Sequence, residues 1–410
     1  MRFFFKERAP LCGEINSKER STSRPPLCGE INSKERSTSR TPLCGEINSK
    51  ERSTSRAPLC GEPQVVSCKI IWVLKDDRAG NYSQATGLAE ELALEALDLE
   101  VDAKIQIKEI SYNFLARLPN FLKINGLAGI SSISKKLLLE KIDGQQENPD
   151  IVISAGRKTA PIAAYLKRKY GSRAIQIMNP NLNFKKFDFV ILPSHDKKFT
   201  AKNIIRIIGS LTRISDDRLE KEYQKFADIL EKITAQNSAP KIALLVGGSS
   251  KKGKFTNEIA AKLGKQVSEI VSKMNANLLV LNSRRTGEEI TETLDQNLIF
   301  PSKYGVKSIK KFFKWKIKDW NNPYFAVLKD ADFIIATGDS ISMCSEICCL
   351  GKPVYIFSTS EICSAKHLQF LNDLVAGGFA RHLKNEILEN YLPKKLGETK
   401  RVAKLLNLFK

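Results

Sequence analysis

ATGDSISMCSEICCLGKPVYIF, residues 336–357, is the stretch around which the chain can be read. Phe333 to Ala336 form an apolar run with the length of a buried strand, Thr337 to Ser340 break it, and Met343 to Leu350 resume with apolar residues at helical spacing. Gly351 and Pro353 stop that helix before a second apolar run, Val354 to Phe357. Strand, loop, helix, strand is one parallel α/β unit. In such a sheet the loop lies at the carboxyl edge, where open α/β folds bind ligands, and the following helix turns unpaired N–H groups toward an anion. Ser342 and Ser345 can cap the helix or meet a phosphate, and Glu346, about one turn in, has the reach for ribose hydroxyls. Asp339 and Ser340 fit equally well as plain helix caps.

Two loops upstream carry similar chemistry. Lys241 to Val246 reads as a strand running into Gly247, Gly248, Ser249 and Ser250, with a helix opening near Thr256. Glycines let backbone approach a diphosphate, but the spacing matches neither a P-loop nor G-x-G-x-x-G. Leu278 to Leu281 leads into Ser283, Arg284, Arg285 and Thr286, a third loop with anion-binding groups. If these strands share a sheet, all three loops emerge at one edge. Between them, Lys303 to Lys318 is the densest basic run and reads as an amphipathic helix, suited either to an anionic membrane surface or to ordinary packing with its lysines in water.

A second α/β unit precedes these. Val65 to Leu74 is an apolar strand, KDDRAG (residues 75–80) a loop, and Asn81 to Leu94 a helix. Residues 150–154 and 159–170 repeat the pattern, with Pro161 near the first turn, where proline is tolerated. Strands follow at 174–178 and 187–192, the latter ending near His195 and Asp196, a position that suits catalysis or a structural hydrogen bond. A charged helix over 216–234 and a linker at 237–240 separate the halves.

At the amino end, PLCGEINSKERSTSR recurs every 16 residues from Pro10, Pro26 and Pro42, with a truncated copy at Pro58. Its only apolar residues are Leu, Cys and Ile, too few to offset the entropy of folding, so 1–62 reads as a disordered tail. Four of the nine cysteines are copies of one repeat position, and with three histidines in the chain no His/Cys metal site is expected. The start, MRFFFKER, lacks a secretory signal, and no apolar run approaches the ~20 residues that span a bilayer, so a cytoplasmic protein is expected. Against 45 acidic residues stand 66 Lys and Arg, a net charge of +21 that favours anionic partners.

In order, WVLKDDRAGNYSQATGLAEEL, DIVISAGRKTAPIA, FDFVILPSHD, LLVGGSSKKGKFT, NSRRTGEE, NNPYFAVLKDADFIIATGDSISMCSEICCLGKPVYIF and GGFAR resemble the family named for the plant "elongated mitochondria" fission factor, from about Val65 to the carboxyl end. The repeats are similar to palindromic-element insertions in genes of some intracellular bacteria. The family looks related to two-domain nucleotide-sugar glycosyltransferases of the GT-B type. The resemblance implies an α/β fold of two Rossmann-like domains facing a cleft, over 63–214 and 241–376, with a linker helix over 215–240 and a tail, 377–410, that can return onto the first domain. It implies a nucleoside diphosphate sugar as substrate, without metal or cofactor. The donor would be held by Gly247, Gly248, Ser249, Ser250, Ser283, Arg284, Arg285, Thr286, Asp339, Ser340, Ser342 and Glu346. Asp77, Gly80, Asn81, Gln84, Gly156 and Arg157 would face the acceptor, with His195 and Asp196 as catalytic candidates. A lipid-linked acceptor or an anionic membrane surface is the expected second partner, at the inner membrane face, rather than nucleic acid. Gly80 and Asn81 stand where many bacterial relatives have Gly-His, which removes a histidine base there, and Gly338 replaces a common alanine. The plant member's role implies the other reading, a non-catalytic adaptor on the same fold.

Overall fold

Apolar runs four to seven residues long, separated by helices of about two to five turns, must bury both faces of each strand, and parallel sheets covered by helices achieve this. The computed structural model of the chain describes residues 68–117, 119–120, 126–139, 147–234, 238–250, 253–300, 308–315, 322–384 and 387–409. The expected disordered repeats at 1–62 lie outside the described residues. Within Gln64–Lys410, a single compact unit, there are two six-stranded sheets.

The first half runs β1 (Lys69–Lys75), α1 (Ala79–Leu97), β2 (Ala103–Glu109), α2 (Ser132–Leu139), β3 (Ile151–Ala155), α3 (Ala160–Tyr170), β4 (Arg173–Ile177), β5 (Phe189–Pro193) and β6 (Ile204–Ile207). Its strands pair in parallel in the order β2-β1-β3-β4-β5-β6. The order in which strands are added reverses between β1 and β3, so the sheet's switch point lies beside the loops that follow those two strands. Ile71, Val73, Ile153, Ile175 and Ile191 pack on one face with α1, while Trp72, Val152, Ala174 and Val190 meet α3 on the other.

Two short helices, α4 (Asp216–Gln224) and α5 (Ala227–Thr234), replace the single charged helix expected over 216–234. The break falls where Phe226 turns into the core. The second half contains β7 (Lys241–Val246), α6 (Asn257–Met274), β8 (Asn277–Asn282), α7 (Glu288–Asn297), β9 (Lys310–Phe313), α8 (Tyr324–Asp330), β10 (Phe333–Thr337), α9 (Ile341–Cys348), β11 (Val354–Phe357), α10 (Ala365–Ala376) and β12 (Arg381–His382). All its strands are parallel, in the order β12-β11-β10-β7-β8-β9. Read from β7, this is the 3-2-1-4-5-6 order of dinucleotide-binding folds, with the switch point between β7 and β10. The sheet continues past the boundary expected at 376, because β12 pairs with β11.

The lysine-rich run is not a helix where it is described. Lys310–Phe313 is the edge strand β9, with its lysines exposed and Phe312 and Phe313 packed against the core. Lys310 and Lys314 pair with Asp295 at 2.7 and 3.3 Å, so the basic face expected to meet a membrane is partly neutralised. Residues 303–307 and 316–318 of that run lie outside the described residues. Among the described residues no helix is long and apolar enough to cross a membrane. The chain ends in α11 (Glu398–Leu406), whose Val402, Ala403 and Leu406 are buried in the first half's core against α1.

Candidate functional site

Loops 247–250, 283–286 and 338–340 leave β7, β8 and β10 at one carboxyl edge, and a single carboxylate joins them. Asp339 is almost wholly buried. Its Oδ2 accepts the Gly248 N–H at 3.0 Å and the Arg285 guanidinium at 2.9 Å, while Oδ1 accepts the Thr337 hydroxyl at 2.6 Å. Thr337 in turn accepts the Gly247 N–H at 2.8 Å. Ser283 donates to the Gly247 carbonyl at 2.8 Å, and Thr286 also donates there. Glycine is required at 247 and 248 by this packing: a Cβ at 247 would overlap the Asp339 carboxylate, and one at 248 the Arg285–Thr286 backbone. The two amides read as diphosphate donors therefore already have acceptors in the protein. Ser249 and Ser250 fold back on their own loop, accepting the Phe255 and Gly253 N–H groups. What remains directed outward is exposed Arg284, partly exposed Arg285 and the first turn of α9, which Ser340 caps through the Met343 N–H.

Opposite lies the switch point of the first sheet. Asp76, rather than the expected Asp77, is the buried member of the pair and accepts from Asn81 at 2.8 Å and from the Arg78 N–H at 3.0 Å. Burial raises its pKa. Asp77 points outward to Lys158 at 2.7 Å, a hydrogen bond that lowers its pKa. Asn81 also sits against Gly156, whose φ of +78° and close approach to the Asn81 amide leave no room for a side chain. Gln84 donates to the Gly80 carbonyl at 3.3 Å, and the Arg157 carbonyl accepts from Asn120. The two edges meet: a Cβ placed on Gly80, at the start of α1, would lie 3.9 Å from Ser342 Oγ, in the first turn of α9.

Glu346, expected to reach ribose hydroxyls, already has a partner within the protein. It is half-buried and accepts the Tyr324 hydroxyl at 2.8 Å, and burial pushes its pKa up to about 7, partly countered by Tyr324 and Arg218. Neither neighbour carried a sequence signal, since one lies 22 residues away and the other on α4. His195 and Asp196 serve the contact between the halves. His195 packs on Phe370 of α10, with ring centroids 5.5 Å apart, and burial lowers its pKa; Asp196 pairs with Lys366 of α10 at 2.6 Å. Among the described residues no group of three His, Cys, Asp or Glu side chains is placed to hold a metal.

Residues 79–408, from the start of α1 to just beyond α11, match the model of the mitochondrial fission ELM1 family. The chain belongs to the mitochondrial fission ELM1 family. An uncharacterized protein, RP120, of Rickettsia prowazekii (strain Madrid E) is 34% identical over 368 residues, covering 82% of this chain and 97% of that protein. The mitochondrial fission protein ELM1 of Arabidopsis thaliana is 23% identical over 282 residues, 62% of each chain. Among solved structures, UDP-GlcNAc 2-epimerase from Neisseria meningitidis, bound to UDP-GlcNAc, superposes with a TM-score of 0.50 at 14% identity, covering 83% of this chain and 100% of that one. At that identity the likeness speaks for the fold: this ELM1-family chain has the GT-B-like arrangement of two parallel-sheet α/β halves.

Proposed function

We propose that this ELM1-family protein binds a nucleoside diphosphate sugar between its two halves and transfers the sugar to an acceptor held by the first half. The observation that carries this reading is the facing of the two switch points, with Gly80 and Ser342 close enough that a side chain at 80 would touch α9. Crevices at switch points are where open α/β sheets take nucleotides. The helix N-terminus of α9 and the guanidinium groups of Arg284 and Arg285 are suited to the charge that builds on a departing diphosphate. Glu346 suits the ribose hydroxyls in its ionised form. Asp339 acts through position, since its bonds to Gly248, Thr337 and Arg285 hold the three loops together before any ligand arrives.

Calorimetric titration of uridine, guanosine, adenosine and cytidine diphosphates into the full chain, with melting curves beside it, tests the reading. One of them is expected to bind and to raise the melting temperature by mass action. Gly80→Trp, whose ring would enter the crevice from the surface side, is expected to abolish that shift while the unliganded protein melts as before. Binding of none of the four would overturn the proposal and favour an interaction protein on the same fold.

A further inference from the structure

Beside the crevice, the loops that follow β4 and β5 enclose an open cavity of about 1250 Å³. Four lysines line it, Lys185, Lys186 and Lys197 from the first half and Lys366 from α10, against one acid, Asp196. Asp196 is taken by Lys366 at 2.6 Å, whereas Lys185, Lys186 and Lys197 have no ion-pair partner among the described residues. Such uncompensated charge in one concavity attracts anions.

The floor is fixed rather than fluid. Phe184 and Phe199 meet edge to face with centroids 5.1 Å apart, joining the two loops, and Asn203 donates to the Phe184 and Phe187 carbonyls at 2.9 Å. Asn179 and Asn183 use their side-chain oxygens on the Asn181 and Lys185 N–H groups. Their amide NH₂ groups are thereby left as donors beside the lysines. The wall thus combines ammonium and amide donors with an apolar base, and both loops lie at the carboxyl edge that faces the second half.

We infer that the acceptor is a phosphorylated molecule, its phosphate held by Lys185, Lys186 and Lys197 and its apolar or ring portion resting on Phe184 and Phe199. This rests on the reading of the crevice as the donor site and adds the chemical class of the acceptor. The Asp196–Lys366 pair spans the two halves, so an incoming phosphate competes with Asp196 for Lys366 at the boundary of donor and acceptor sites.

A charge reversal, Lys185→Glu with Lys186→Glu, tests this on the full chain, because both side chains are exposed and their replacement leaves the core intact. In one arm glucose 1-phosphate is titrated calorimetrically; in the other, vesicles of phosphatidylcholine with phosphatidic acid are sedimented with the protein. Wild type is expected to bind in at least one arm, which tells a soluble acceptor from a lipid one, and the double variant to bind at least roughly tenfold more weakly there. Binding in neither arm, or equal binding by the variant, overturns the inference. The nucleoside diphosphate titration is repeated on the variant. Nucleotide binding without a charge-sensitive phosphate site defeats only the acceptor assignment. A charge-sensitive phosphate site without nucleotide binding defeats the donor assignment and with it the acceptor role, and leaves the phosphate site itself standing.

Discussion

Glu346 is the residue whose role changes most between its local sequence and its surroundings. A carboxyl group with a pKa of about 7 holds its proton more tightly folded than unfolded, where its ordinary value is 4.5. Its contribution to stability is therefore complete below the unfolded value and is lost as the pH rises through about 7, at about 1.4 kcal/mol per pH unit in between. Glu346→Gln removes this dependence and can still accept the Tyr324 hydroxyl. The stability difference between Glu346→Gln and wild type is expected to shift in favour of the variant from pH 5 to pH 8, measured by urea unfolding. A difference that is flat with pH would show that the carboxylate is already ionised at pH 5. Glu346→Ala, by contrast, strands the buried Tyr324 hydroxyl and should cost about 1–3 kcal/mol at any pH. Nearby, Gly247→Ala drives a methyl group into the Asp339 carboxylate and is expected to cost about 1–3 kcal/mol in chemical denaturation. An unchanged midpoint would mean that the three loops do not depend on Asp339.

Helix α11 shows how an element distant in sequence completes a core. Val402, Ala403 and Leu406 are buried against α1, whereas Leu405 next to them is about half exposed. Leu406→Ala is expected to destabilise the protein by about 2–5 kcal/mol and Leu405→Ala by less than about 0.5 kcal/mol. Equal effects would mean that α11 is not docked as described. Strand β9 makes the complementary case. KKFF lies in a lysine-rich setting whose apolar residues also fall at helical spacing, but pairing with β8 engages one side of its backbone and Phe312 and Phe313 pack against the core.

The two halves are tied by more than the chain between them. Ser345 on α9 accepts the Ser210 N–H at 3.0 Å, the Thr212 N–H donates to Thr399 at 2.9 Å, and the Thr212 hydroxyl lies 3.5 Å from Cys349 Sγ. Because α11 belongs to the first core yet follows the second half in sequence, neither half retains all its contacts when the other unfolds. A single calorimetric transition with matching van't Hoff and calorimetric enthalpies is expected. Two resolved transitions would show the halves to be independent.

The two parallel α/β halves were legible because strand, loop and helix are local patterns, and the runs at 241–246, 333–337 and 354–357 carry them in full. The edge strands were not. In β2, Ala103–Glu109, apolar and polar residues alternate, the period of a half-buried strand, which a pattern of continuous apolar runs passes over. The candidate loops were likewise recognisable by residue type, whereas their internal bonding was not. That Asp339 occupies the Gly248 amide, that Asp76 rather than Asp77 is buried, and that Glu346 meets Tyr324 are facts of long-range packing. Hydrophobic periodicity is written along the chain, but the acceptor for a buried amide or the neighbour of a buried carboxyl is supplied by whichever distant residue the sheet order brings alongside, and that order exists only once the chain has folded.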